Sequence, residues 1–92
     1  MSGGQKMISS SAREDIVQWR VPVAIRIGYG PIELVQGPAE ACRYLADRWP
    51  FVGGTYHDLA ESRCRAAMYR RASVEEARNI FISAAQEACL LD

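Results

Sequence analysis

The sequence predicts one α+β domain, in which an antiparallel β-hairpin packs against three α-helices in the order β-β-α-α-α. Three observations predict this. Apolar and other residues alternate over residues 19–27, as they do in a strand with one buried face. Two stretches with helical spacing follow, separated by prolines and glycines. The last third of the chain begins with a capping sequence and continues with apolar residues along one helix face.

The hairpin is predicted from two short strands around a glycine-containing turn. The first strand covers residues 19–27, and Pro22 places its beginning at an edge because proline cannot donate to a ladder. Residues 28–31 form the turn, and residues 32–35 form the second strand. A two-stranded hairpin is marginal by itself, so we expect the helices to cover its apolar face.

The three helices are predicted from their first and last residues. The first covers residues 38–48, with Pro38 at its start and Pro50 forcing its end. Thr55 is expected to cap the second helix, and Ser73 with Glu76 forms a capping box for the third. The core is expected to contain Val23, Ile25, Leu34, Leu45, Trp49, Leu59, Cys64, Phe81 and Ala84.

The domain is predicted to cover residues 15–92, after a disordered tail at residues 1–14 that is rich in glycine and serine. No signal peptide and no apolar run long enough for a membrane span is seen, so a cytoplasmic protein is expected. Eleven basic and 11 acidic residues give no net charge, which argues against a protein that coats nucleic acid. It also leaves little repulsion between copies, and with the free strand edges it favours a homodimer.

Cys42, Cys64 and Cys89 lie one on each predicted helix, without a CxxC pair. We expect reduced thiols packed in the core, since each falls on an apolar face. His57 is the only histidine and is expected at the surface or as a cap near the start of the second helix. A metal site or a small enzyme built on His57 and the three cysteines is the weakest alternative.

Two further candidate surfaces are visible in the sequence. Five arginines gather around the junction of the second and third helices, and they suggest nucleic-acid binding as an alternative function; most basic faces are simply solvated. They are Arg63, Arg65, Arg70, Arg71 and Arg78. Trp49 is expected to close the core near Tyr56, and the alternative is a ligand groove lined by Trp49, Tyr56 and His57.

One set of residues, spread over positions 19–90, occurs in an order and spacing that are specific when taken together. The set consists of Trp19, Pro22-Val23, Pro38 to Ala41, Leu45, Trp49-Pro50, Tyr56, Ala60, Cys64, Ala67, Ser73 to Arg78, Phe81-Ile82, Ala84-Ala85 and Glu87-Ala88. In this pattern the chain resembles a known family, the domain of unknown function 982 of small alphaproteobacterial proteins. The resemblance implies the fold and a bacterial origin, but no activity, cofactor or functional residue. The family pattern often has a glycine between the second and third helices, where this chain has Arg70-Arg71. The turn is therefore expected to differ.

The sequence thus favours a non-catalytic interaction or regulatory module that forms a homodimer. No constellation of catalytic, cofactor-binding or metal-ligating residues outweighs its structural explanation. Glu75 and Glu76, for example, suit the first turn of a helix.

Overall fold

The computed structural model describes residues 16–50 and 53–92, and it confirms the α+β architecture. A two-stranded antiparallel hairpin is followed by three helices, the first of which changes from an α-helical to a π-helical turn. The elements are β1 (Val23–Arg26), β2 (Ile32–Val35), α1 (Pro38–Arg43, continued by the π-helix Tyr44–Arg48), α2 (Thr55–Met68) and α3 (Val74–Glu87). The predicted tail at residues 1–14 and the connector residues Phe51 and Val52 lie outside the described residues.

The hairpin is shorter than the alternating pattern predicts. β1 begins at Val23 because the chain bends just before Pro22, which has no N–H for the ladder. The turn between the strands uses Gly28 at a φ of 60°, a conformation that glycine adopts without steric cost. Val23 pairs with Val35, and each of these residues is buried.

The C-terminal residues extend the hairpin on the side of β1. Ile25 forms an isolated antiparallel bridge with Leu91. The N–H of Arg26 donates to the carbonyl of Leu90 at 2.9 Å, and the N–H of Asp92 donates to the carbonyl of Ala24 at 3.2 Å. β1 therefore lies between β2 and the chain end.

α2 and α3 form the closest helix pair, because the residues between them are small. The buried face of α2 consists of His57, Ala60, Cys64 and Ala67. His57 takes part in this face and Leu59 does not. The prediction that Leu59 lies in the core is wrong, because its side chain is 37% exposed. The facing side of α3 is buried at Ala77, Phe81, Ala84 and Ala85, as its apolar spacing predicts.

Phe81 lies at the centre of the core between two tryptophans. Its ring centroid is 5.6 Å from that of Trp19 and 5.5 Å from that of Trp49, and all three side chains are buried. The indole N–H of Trp19 donates to the carbonyl of Val74 at 3.0 Å, which satisfies the one polar atom of that ring. The segment before β1 is thereby tied to the start of α3.

Leu34 is not part of this core, contrary to prediction. In the register of the hairpin it pairs with Ala24 on the outer face, where it is 53% exposed. Glu33 and Val35 point inward instead. One residue of strand register therefore decides which of these side chains is buried.

The start of α3 has half of the predicted capping box. The Ser73 hydroxyl accepts from the N–H of Glu76 at 3.1 Å, as predicted. The Glu76 carboxylate does not reach back to Ser73, since it accepts from the guanidinium of Arg63 at 3.0 Å. This ion pair joins α2 to α3 instead of closing the cap.

The start of α2 is capped from another helix. The N-cap position is Gly54, so the predicted Thr55 cap is wrong. The carboxylate of Glu87, at the end of α3, accepts from the N–H groups of Thr55 and Tyr56, each at 3.1 Å. Negative charge at a helix N-terminus is favourable, so this contact stabilises α2 and fixes its end against α3.

α2 and α3 both end in a left-handed residue that is not glycine. Arg70 has a φ of 59° and Cys89 a φ of 60°. After α2, the N–H of Arg71 donates to the carbonyl of Ala66 at 2.8 Å, and the N–H of Arg70 donates to that of Ala67 at 3.0 Å. This is the Schellman pattern, in which glycine normally occupies the position of Arg70. Arg70 therefore has the left-handed conformation that glycine commonly adopts at this position, and whether the turn differs from that of the family stays a prediction.

Replacing Phe81 with alanine should lower the free energy of unfolding by about 3–5 kcal/mol, because it leaves a cavity between the two tryptophans. Chemical denaturation followed by far-UV circular dichroism measures this change. Tyr69→Ala, at a side chain that is 65% exposed, is the control and should change stability by less than about 0.5 kcal/mol. A loss of under 1 kcal/mol for Phe81→Ala, by the same denaturation measurement, would contradict this core.

Replacing Arg70 with glycine should raise the free energy of unfolding by about 1 kcal/mol, because it relieves the left-handed backbone strain. Arg71→Gly is the matched control. Arg71 has no positive φ, so glycine there only increases the freedom of the unfolded chain and should destabilise the protein. Equal effects of the two substitutions in thermal unfolding would contradict the conformation assigned to Arg70.

Candidate functional site

The outer face of the hairpin carries exposed aliphatic side chains. On β2, Ile32 is 47% exposed and Leu34 is 53% exposed, and the two share one face of the strand. Val21, just before β1, is also exposed. Scattered exposed aliphatic residues are ordinary, but here they follow one strand.

The same two residues of β2 also present their backbone groups to solvent. β1 uses the N–H of Arg26 and the carbonyl of Ala24 on the side of the C-terminal residues. Because backbone groups alternate along an antiparallel strand, Val23 and Ile25 bond toward β2, where they face Val35 and Glu33. The N–H and C=O groups of Ile32 and Leu34 therefore point away from β1. Within the described chain they have no hydrogen-bond partner.

Glu33 holds the inner side of β2 against the π-helix. Its carboxylate accepts from both terminal nitrogens of Arg48 at 2.8 Å and from the Tyr44 hydroxyl at 2.7 Å. The Arg48 guanidinium, followed by the Tyr44 hydroxyl, keeps the pKa of Glu33 below its ordinary value. The bidentate geometry fixes the orientation of the edge strand.

His57 joins the π-helix to the start of α2 and is 6% exposed, so its prediction as a surface residue is wrong. Its Nε2 lies 2.8 Å from the carbonyl oxygen of Leu45, and its Nδ1 lies 3.1 Å from Oδ1 of Asp58. Burial lowers the pKa of His57, but the Leu45 carbonyl and the Asp58 carboxylate, with Glu61, outweigh burial and raise the pKa above 6.5.

Among the described residues, one set of side chains has ligand-forming atoms close enough together for a metal ion. His57, Asp58 and Glu61 place one such atom each within 4.8 Å of one another. The Asp58 side chain is 82% exposed, and a proton on Nδ1 of His57 already accounts for the 3.1 Å between Nδ1 and Oδ1 of Asp58. The donor set therefore has an explanation that requires no metal.

The three cysteines do not form one site. Cys64 is buried, Cys42 is half-buried, and Cys89 is exposed, which corrects the prediction that all three pack in the core. Cys89 lies after the end of α3, in the left-handed conformation, and not on the buried face of that helix. Burial raises the pKa of Cys64 to about 12 and also raises that of Cys42, so both remain neutral thiols at physiological pH.

The three side chains of the predicted groove, Trp49, Tyr56 and His57, have different environments, and a groove between them stays a prediction because Phe51 and Val52 of the neighbouring connector lie outside the described residues. Trp49 packs on Phe81 in the core, as the favoured prediction stated. His57 is buried against the π-helix, and Tyr56 is exposed on α2.

The five arginines of the predicted nucleic-acid patch have different environments. Arg63 pairs with Glu76, and the Nε of Arg78 donates to the carbonyl of Val21 at 2.8 Å. Arg65 lies close enough to Cys42 to lower its thiol pKa slightly against the effect of burial. Arg70 and Arg71 are exposed in the turn between α2 and α3. Nucleic-acid binding by this group stays a prediction.

Free strand edges were predicted from the sequence, but the residues that lie along the open edge and the contacts of His57 were not. In the sequence Ile-Glu-Leu-Val both faces of the strand carry an aliphatic residue, so alternation does not identify the outer one. Pro50 indicates an open carbonyl near the end of the first helix, because proline has no N–H, but in the predicted α-helix that carbonyl would be the one of Ala46 and not of Leu45.

Residues 21–91 of the chain match the family model described as "Protein of unknown function (DUF982)". No curated protein and no solved structure matches the chain. In the part of the chain that the structure describes, none of the helices combines the length and apolar character that crossing a membrane requires. The match extends over the hairpin and all three helices, so the chain belongs to the DUF982 family, whose description assigns it no activity.

Proposed function

We propose that this domain is a non-catalytic interaction module that forms a homodimer by pairing β2 with β2 of a second copy. One observation carries the proposal: Ile32 and Leu34 have open backbone groups along the edge of β2 and exposed aliphatic side chains on the outer face beside that edge. An exposed strand edge is a template for another strand, and a symmetric pair is the commonest way to cover it.

The edge is complementary to itself in one antiparallel register. With Glu33 on the twofold axis, Ile32 of each copy faces Leu34 of the other, and their open N–H and C=O groups are exchanged. The outward aliphatic side chains then lie directly across from each other. A register centred on Leu34 is poorer, because Ile32 would face Gln36. The backbone groups of Gln36 are already used, since its N–H donates to the Glu40 carboxylate and its C=O accepts from the N–H of Trp19.

The electrostatics of the edge permit this pairing. In the Glu33-centred register two carboxylates approach each other, but each is already neutralised by the guanidinium of its own Arg48. The whole chain has no net charge, so two copies do not repel each other. The strand has only four residues, so we expect a dissociation constant on the order of micromolar.

The proposal is for a non-catalytic role because the reactive side chains are engaged or neutral. His57 is bonded through both ring nitrogens, and Cys42 and Cys64 stay protonated. The proposal places the domain in a bacterial cytoplasm, where its three free thiols would remain reduced.

Sedimentation velocity over a concentration series tests the dimer. The wild-type mass should rise from 10.2 kDa toward twice that value, and Leu34→Lys should remain at 10.2 kDa because it places a charge across the pairing edge. Tyr69→Lys is the matched control: it changes a large side chain that is 65% exposed, against 53% for Leu34, outside the hairpin, and it should dimerise like wild type.

Two results would contradict the proposal. The first is a wild-type protein that stays at 10.2 kDa at its highest soluble concentration. The second is a folded Leu34→Lys protein that self-associates as strongly as the wild type does.

A further inference from the structure

We propose that His57 is a latch between the end of the π-helix and the start of α2, formed by its Nε2–H and the Leu45 carbonyl and strengthened by a second, pH-dependent proton that Nδ1 donates to Asp58. The latch is separate from the edge of β2, so it does not depend on the proposed dimer. It concerns the junction at which the chain leaves one helix and enters the next.

The latch is needed because the carbonyl of Leu45, in the π-helix, has no N–H donor from the helix itself. In a π-helix the carbonyl of each residue accepts from the N–H five residues later. For Leu45 that residue is Pro50, which has no N–H. The Leu45 carbonyl is buried, and Nε2 of His57 lies 2.8 Å from its oxygen, as a hydrogen-bond donor in place of the absent N–H. A buried carbonyl without this partner would be destabilising.

This contact determines where the protons of the ring lie. A carbonyl oxygen only accepts, so the Nε2 that faces Leu45 carries a proton. Nδ1 lies 3.1 Å from Oδ1 of Asp58, and a carboxylate oxygen also only accepts. Below the pKa of the folded state Nδ1 carries a proton as well, and the ring is then an imidazolium held between two acceptors.

The charged groups around the ring favour this state. Asp58 and Glu61 on α2 both face the ring and raise its pKa, and the π-helix contributes the Leu45 carbonyl. From α3, the carboxylate of Glu87 binds the two amides immediately before His57. No cation from the described elements is among the groups that act on its pKa.

Loss of one proton breaks the contact with Asp58. The neutral ring has a single N–H, which stays on Nε2 because the Leu45 carbonyl is buried, whereas the Asp58 side chain is 82% exposed and can bond water. Because the folded-state pKa lies above the value of 6.5 for the free residue, both contacts are made below about pH 6.5. The stabilisation that the Asp58 contact adds is lost as the pH rises through the folded-state pKa, and the Leu45 contact remains.

Nitrogen-15 NMR of the full chain tests the latch directly, because His57 is the only histidine. At pH 6 both ring nitrogens should give the chemical shifts of an imidazolium, and the titration midpoint should lie above 6.5. Denaturation between pH 5 and 9 should show the unfolding equilibrium constant rising as the ring deprotonates.

Three variants separate the latch from a general effect of pH. His57→Gln keeps a donor for the Leu45 carbonyl and never titrates, so it should lose the pH dependence that the wild type has near the midpoint. Asp58→Asn should lower the midpoint of His57 because it removes the carboxylate. Asp47→Asn, at an exposed carboxylate on the π-helix, is the matched control and should leave the midpoint unchanged.

The latch is overturned by any of three results. One is a midpoint below 6.5, and another is a neutral ring at pH 6. The third is a stoichiometric zinc ion that binds His57 in place of the Nδ1 proton when zinc is titrated into the protein.

Discussion

The packing of Phe81 between two tryptophans is the interaction on which the rest of the structure depends. Trp19 comes from the segment before the hairpin, Trp49 from the end of the π-helix, and Phe81 from the middle of α3. A domain of this size has little apolar surface to bury, so large side chains from distant segments must share one centre. Around that centre, alanines and Cys64 let α2 and α3 approach closely, and the two strands close one side.

The ends of the elements are fixed by contacts between elements and not by local caps alone. Glu87 at the end of α3 caps the start of α2, while Arg63 on α2 binds Glu76 at the start of α3. His57 on α2 bonds the Leu45 carbonyl of the π-helix, and Glu33 on β2 binds Arg48 at the end of that π-helix. These contacts bring polar groups from separate segments together, so each helix end depends on the correct packing of its neighbour. The exposed edge of β2 is the place where no such contact exists within the described chain.

The order of the elements and the limits of the helices could be predicted from local chemistry, because prolines, glycines and Ser73 act on their own neighbours. The buried face of α3 was predictable for the same reason, since its apolar spacing is unambiguous. The positions of Leu34, Leu59 and His57 were not, because each depends on a partner far along the chain. Glu33 points inward toward Tyr44 and Arg48, which sends Leu34 outward; Pro50 leaves the Leu45 carbonyl open, which brings His57 inward. Free strand edges were therefore predictable, but the side chains on the open edge strand were not.

Iodide quenching of the two single-tryptophan proteins, Trp19→Phe and Trp49→Phe, tests the aromatic core most directly. Each variant leaves one indole against Phe81, so the account predicts blue-shifted emission that resists quenching until the protein is unfolded in denaturant. The Trp19→Phe protein reports on Trp49 beside the π-helix, and the Trp49→Phe protein reports on Trp19 beside Val74. Red-shifted emission that iodide quenches as readily in the folded protein as in the unfolded one, from either variant, would contradict the account.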